Sequence, residues 1–278
     1  IKFYDGDLKD LSSLITLIRQ EEPDVIYHFA AQSAVPISFT MPSETIQDNV
    51  LGTLYLLEAV RLVNDELIDR YGDEYSPTIV IASSSEVYGQ VTKEDIPIKE
   101  TCPFRPMSPY AVSKVTEDML GFQYFQSYKM NIVRTRLFTH TGARRGETFS
   151  ESSFAKQIAL IEKGKQKPIV RVGNLDSIRT YLDVKDAVRA YWMAKDCPSG
   201  EVYNIGGDRT MTVGKMLEYL ISLSPVKVKI EINPSLLRPS DVTLQIPDTS
   251  KFRKATSWKP EIPFEETMSS LLSYWREK

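Results

Sequence analysis

With 278 residues, 42% of them hydrophobic, the chain is long enough for one large domain or for a larger and a smaller one. Its 34 basic and 37 acidic side chains leave a net charge of −3 and are mixed along the sequence. Neither a nucleic-acid footprint nor a membrane-surface helix is therefore expected, and any anionic ligand must be held by local groups. No apolar stretch approaches the roughly 20 residues of a membrane span and the first residues lack a signal-peptide pattern, so a soluble cytoplasmic protein with no membrane partner is expected. Cys102 and Cys197 lie far apart without metal-type spacing and read as structural or incidental; His28 and His140 have too few partners to build a zinc site.

Ile1 to Tyr4 reads as a short strand, and Asp10 to Glu22 then places Leu11, Leu14, Ile15 and Ile18 on one helical face. Asp24 to Ala30 is the next strand. A long helical pattern from about Ser43 to Val63 follows, with Ile46, Val50, Leu54 and Leu57 facing inward. The β-branched run 78–82 has the character of a buried parallel strand. Ser108 and Pro109 carry the signature of an N-cap and first helical turn, opening a helix to about Tyr128. Asn131 to Leu137 is a further strand.

This strand and helix alternation predicts an α/β fold, a doubly wound parallel sheet through about residue 145, and residues 146–278 form a smaller mixed α/β substrate domain with some segments returning to the sheet. Its expected elements are helices near 151–163, 183–195, 212–222 and 263–276, and short strands near 169–172 and 201–205. A dinucleotide fold opens with a strand and a glycine-rich turn feeding a helix, whose N-terminus receives the pyrophosphate. No such turn is present in this sequence, so its first βαβ unit is expected to be missing.

Chemistry concentrates at two stretches. "SSSEVYG", residues 83–89, places three hydroxyls and a carboxylate directly after an apolar strand, where an open α/β sheet holds its ligand. Turn chemistry accounts for serines at a strand end in general. Glu86 is different: a carboxylate between a buried strand and Val87-Tyr88 is costly unless paired or used, which points to acid/base work. Tyr110 and Lys114, four residues apart near a helix start, share one face. The ammonium is expected to lower the phenol's pKa, as proton exchange with a sugar or alcohol hydroxyl near neutral pH requires.

These motifs, with "GDL" at 6–8, "HFAAQS" at 28–33, "SPYAVSK" at 108–114, "NIGG" at 204–207 and "RPSDV" at 238–242, resemble the extended short-chain dehydrogenase/reductases acting on nucleotide sugars, over nearly the whole chain. "ARRGETF" at 143–149 is most similar to the GDP-mannose 4,6-dehydratases among them. The resemblance implies a Rossmann-like fold, NADP (or NAD) as cofactor, a GDP-sugar substrate and a homo-oligomer, dimer or tetramer. It implies that Asp7 and Leu8 hold the adenine end of the cofactor, that Phe29, Ala30, Ala31 and Ser33 line its ribose and phosphates, that Tyr110 and Lys114 flank the nicotinamide, and that His140 and Arg145 make further cofactor contacts. Ser84, Ser85 and Glu86 resemble the dehydratase Thr-Ser-Glu, catalytic together with Tyr110 and Lys114. Ser85, Glu86, Thr139, Arg179, Arg238 and Asp241 would contact substrate, the arginines on its diphosphate, where a guanidinium fork donates two parallel hydrogen bonds.

Two departures stand out: Thr139 occupies a position where the dehydratases carry Asn, and Ser84 one where they carry Thr. Residues 171–188, 233–242 and 258–268 are as similar to the GDP-4-keto-6-deoxy-mannose reductases. The alternatives open at this point are therefore a dehydratase, the reductase, a heptose dehydratase or an epimerase, and, from a different class, a non-catalytic binding protein on the same fold.

Overall fold

Asp10 caps the first helix: its carboxylate accepts hydrogen bonds from the backbone N–H groups of Ser12 (3.0 Å) and Ser13 (3.2 Å), satisfying donors that the helix leaves open. The structure, a computed structural model, describes residues 1–72 and 74–278. In chain order it contains α1 (Leu11–Glu21), β1 (Val25–His28), α2 (Val35–Thr40), α3 (Pro42–Ile46), α4 (Gly52–Tyr71), β2 (Thr78–Ser84), α5 (Pro109–Tyr128) and β3 (Ile132–Leu137). There follow β4 (His140–Thr141), α6 (Ser150–Glu162), β5 (Ile169–Val172), β6 (Ile178–Asp183), α7 (Val184–Ala194) and β7 (Val202–Ile205). The chain closes through β8 (Arg209–Thr212), α8 (Val213–Ser222), β9 (Lys229–Ile232), β10 (Leu244–Gln245), α9 (Ser250–Thr256) and α10 (Phe264–Glu277).

The chain divides into two compact units: Ile1–Gly89 with Pro103–Arg136 and Tyr191–Tyr203, and Gln90–Cys102 with Leu137–Ala190 and Asn204–Lys278. The first is built on a sheet of order β1-β2-β3-β7, in which β1 and β2 run parallel with Tyr27 opposite Val80. Its core joins Leu14 and Ile18 of α1, Leu57, Val60 and Val63 of α4, Ile79 and Ile81 of β2, and Ile132 of β3. In the second unit, β6 pairs with β4 and β10 in parallel and with β8 antiparallel. Its core gathers Ile158, Val170, Val172, Met216, Leu220, Met268 and Leu272. The expected α/β fold with a parallel sheet is present, and among the described residues no helix is long and apolar enough to cross a membrane.

Two sequence expectations are corrected. Residues 1–4 form no strand, because the sheet order leaves them without a neighbouring strand to satisfy their backbone groups. They are tied to α1 by side chains instead, the Lys2 ammonium and the Tyr4 hydroxyl both reaching Glu21. The long helical stretch keeps only part of its expected inward face: Leu57 is fully buried and Leu54 packs on the first core. A π-helical turn at Gln47–Leu51 shifts the phase before them, so that Thr45, Asn49 and Thr53 are fully buried while Ile46 and Val50 are only half-buried.

The helix α5 carries an unusual load of buried polar groups. Asp118, with no exposed surface, receives Arg134 Nη1 at 2.9 Å and Arg136 Nε at 2.8 Å, and the Arg136 guanidinium lies 4.6 Å from the Phe104 ring centroid. Removing one member of such a pair strands the rest. Asp118→Asn is expected to lower the free energy of unfolding by about 3–5 kcal/mol, read as a lower urea midpoint with an unchanged slope.

Candidate active site

The stretch "SSSEVYG" is a strand end rolled into a turn. β2 continues through Ser84, whose hydroxyl then accepts from the backbone N–H of Glu86 (3.2 Å), capping the short 3₁₀ helix Ser85–Tyr88. Ser85 is buried in that turn and Glu86 is half-buried. Gly89 closes it with φ +55°, and a Cβ there would sit 1.7 Å from the Arg105 carbonyl oxygen, so only glycine fits.

Ser108 and Pro109 start α5 as the sequence predicts, the Ser108 hydroxyl accepting from Ala111 N at 3.0 Å. This start presents Tyr110 and Lys114 to the end of β2. The Lys114 ammonium donates to the carbonyl of Ala82 (3.0 Å) and to Glu117 Oε2 (2.9 Å), and lies 5.9 Å from the Tyr110 ring centroid. Both the Ser84 hydroxyl and the Glu86 carboxylate act on the Tyr110 phenol, the first favouring and the second disfavouring its ionised form. Ser84, Ser85, Glu86, Tyr110 and Lys114 all belong to the first unit.

The electrostatics correct one expectation. Burial raises the Tyr110 pKa, and the opposing pull of Lys114 and of the Ser84 hydroxyl does not bring it below its ordinary value. Burial disfavours the Lys114 ammonium, but Glu117 and Tyr110 together more than compensate and its pKa is raised. Glu117 itself is pushed up to about 7 by burial, against the pull of Lys114.

Residues proposed for the cofactor fall in both units. Asp7 turns its carboxylate onto the N–H of Lys9 (2.8 Å), while Leu8 packs on the first core. After β1, Phe29, Ala30 and Ser33 are exposed and Ala31 is half-buried; Phe29, 53% exposed, is held edge-on by Tyr191 at 4.6 Å. The chemistry of this set fits a dinucleotide: small exposed residues beside parallel strand ends, a serine hydroxyl and a lysine ammonium for ribose and phosphate oxygens. In the second unit, His140 opens β4 with Nδ1 3.1 Å from the Phe138 carbonyl, its pKa lowered to about 4 by burial and by the charge of Arg145. The Arg145 guanidinium stacks 3.5 Å from the Phe149 ring centroid.

Sequence-distant substrate candidates meet in the second unit. Arg179 Nη2 and Arg238 Nη1 both lie 3.6 Å from Asp241 Oδ1, and Asp241 Oδ2 accepts from Asn174 (2.9 Å) and Ser177 (3.1 Å). Gln245, opposite Arg179 in the β6–β10 register, is 3.5 Å from the Thr139 hydroxyl. In the "NIGG" stretch a Cβ on Gly207 would lie 1.8 Å from the Tyr181 carbonyl oxygen, so the glycine lets β6 approach.

Several polar participants escape a reading of the sequence. Asn49 donates to Ser113 Oγ (2.8 Å) and to the Gln32 carbonyl (3.0 Å), and accepts from Gln32 N (2.7 Å), fixing the loop after β1 beside α5. Thr53 bonds His28 Nε2 at 2.8 Å. Only the shifted helical phase could have announced them.

Comparison with known proteins places the chain in a family. A family model described as GDP-mannose 4,6 dehydratase matches residues 1–271. The GDP-mannose 4,6-dehydratase of Yersinia enterocolitica is 33% identical over 297 residues, covering 96% of this chain and 77% of that protein. The GDP-6-deoxy-D-mannose reductase of Pseudomonas aeruginosa is 32% identical over 93% of this chain and 82% of its own length. Among solved structures, RMD from Pseudomonas aeruginosa complexed with NADPH superimposes with a TM-score of 0.89 at 32% identity, covering 99% of this chain and 88% of that one. The UDP-glucose 4-epimerase of Thermus thermophilus in complex with NAD gives a TM-score of 0.85 at 27% identity, covering 99% and 85%. With a family model spanning almost its entire length and relatives above 30% identity, the chain belongs to the GDP-mannose 4,6-dehydratase family.

Proposed function

We propose that this protein is an NAD(P)-dependent lyase that converts GDP-mannose to GDP-4-keto-6-deoxy-mannose and water, acting in the cytoplasm as a homo-oligomer, dimer or tetramer. The observation that carries this reading is the Glu86 carboxylate, which follows Ser84 in the same turn and acts on Tyr110 through its charge. Oxidation of an alcohol needs one proton acceptor; elimination across C5 and C6 needs a second.

Tyr110 takes the proton of the C4 hydroxyl, with Ser84 orienting the phenol and Lys114 favouring the phenolate. A nicotinamide held beside Tyr110 and Lys114 would supply hydride acceptor and donor chemistry for C4 and C6. Glu86 removes the C5 proton, acidified by the new C4 carbonyl, and delivers a proton to the departing C6 hydroxyl, which leaves as water. A solvent-exchangeable proton then restores C5. Ser85 and Thr139 hydrogen-bond the hexose, Arg179 and Arg238 hold the diphosphate, and Asp241 lies by the nucleotide. Asp7, Leu8, Phe29, Ala30, Ala31, Ser33, His140 and Arg145 hold the dinucleotide, residues 1–145 forming mainly its domain and 146–278 that of the nucleotide sugar.

The second reading is the 4-keto reductase, favoured by the 32% identity to the Pseudomonas aeruginosa reductase. Incubation with GDP-mannose and NADP separates the two. Formation of the 4-keto-6-deoxy sugar is expected. Unchanged GDP-mannose, with reduction of the supplied 4-keto sugar by NADPH, would replace the dehydratase with the reductase.

A further inference from the structure

Glu117 has no role in the mechanism above, yet it is the group most intimately joined to Lys114. Its side chain is 1% exposed and that of Lys114 is 6%, with 2.9 Å between Oε2 and Nζ. Its other oxygen, Oε1, is buried without a hydrogen bond among the described residues. A buried carboxylate with one oxygen unsatisfied is costly, and nothing in core packing requires it one turn beyond the lysine.

The surrounding groups are otherwise committed. Asp118, next along α5, is consumed by Arg134 and Arg136 of β3. Thr53 of α4 donates to the Asn49 carbonyl (2.7 Å) and bonds His28 of β1. His28 is kept neutral around pH 7, its pKa lowered to about 4 by burial and by Lys114. From β2 the lysine meets the Ala82 carbonyl, while Tyr110 feels Glu86 of the turn after β2 and couples to the Tyr191 phenol of α7 as well. Lys114 is therefore the charge that Glu117 answers.

Resting on the reading of Tyr110 as the proton acceptor, we propose that Glu117 is a positioning residue for that phenol, acting through Lys114: its carboxylate tethers the ammonium and offsets its charge, so that Tyr110 holds its proton more firmly. The carboxylate's effect on Tyr110 is to raise its pKa, opposite to that of the lysine. Because Glu117 itself titrates at about 7, the offset weakens as it takes up a proton.

The test is Glu117→Gln, which keeps shape and removes charge. Tyr110 is followed in the ligand-free protein by NMR with ¹³Cζ-labelled tyrosine, its resonance assigned from the signal that Tyr110→Phe deletes. Ionisation of Tyr110 is expected to begin at lower pH in Glu117→Gln than in wild type. With GDP-mannose as substrate, the acid limb of the kcat profile should move to lower pH with KM little changed. A Tyr110 resonance that titrates as in wild type, in a variant with a native circular dichroism spectrum, overturns the proposal. If the glutamine variant does not fold, Glu117→Asp, which draws the carboxylate back from the ammonium, should give a smaller shift of the same sign, and no shift there overturns it equally. Absence of GDP-mannose turnover by wild type would defeat the functional reading alone, since the resonance reports on Glu117 without substrate.

Discussion

Tyr110→Phe should lower GDP-mannose turnover by on the order of a hundred- to ten-thousand-fold, the range over which a positioned acid/base group contributes. The substitution removes one oxygen from a nearly buried ring. The ring's packing against Lys114 survives, and the diphosphate contacts proposed for Arg179 and Arg238 lie in the other unit, so nucleotide-sugar affinity by calorimetry should stay close to wild type. Loss confined to kcat identifies an interaction made as the proton moves. Turnover within a few-fold of wild type would remove the tyrosine from the chemistry.

The second large effect is expected at Glu86. Glu86→Gln preserves size and much of the hydrogen bonding of the 3₁₀ turn, but an amide cannot accept the C5 proton. Oxidation at C4 should survive while elimination fails, so reduced nicotinamide should accumulate by absorbance without the 4-keto-6-deoxy product. Product formation is expected to fall by on the order of a hundred- to ten-thousand-fold. In deuterated water the wild-type product should carry deuterium at C5. A glutamine variant that forms product at the wild-type rate would leave the dehydratase reading without its base.

The sequence disclosed most where local rules act alone. β2 and its polar end, the Ser108 cap and the span of α5 follow from β-branched content, capping chemistry and proline geometry, each readable within a few residues. Two-residue strands such as β4 and β10 have no period to read and exist only because β6 runs beside them. Apolar periodicity points Ile46 and Val50 inward, but a π turn, which no period announces, buries Thr45, Asn49 and Thr53 in their place. Tyr110 and Lys114 were visible as a pair, but the direction of the phenol's pKa depends on burial, which spacing does not encode. Glu117, beside Asp118 on a long helix, has the look of a solvated acid until the fold encloses it. Arg179 and Arg238 could be named from their resemblance, but their shared carboxylate contact required the fold.

The interleaving of the two units bears on how the molecule is made. The chain passes from one unit to the other after Gly89, Cys102, Arg136, Ala190 and Tyr203. Strand β7, which completes the sheet of the first unit, is not reached until Val202–Ile205. On the ribosome, therefore, a nascent chain carrying Ser84, Tyr110 and Lys114 must wait for more than eighty further residues before that sheet can close. The first unit cannot finish folding until Tyr203 has emerged, long after Ser84, Tyr110 and Lys114, and the entropy of closing such long loops falls on the folding rate more than on final stability. Nascent chains that end before Val202 should be cleaved readily by protease within the first unit, and chains extended past Tyr203 should resist cleavage there.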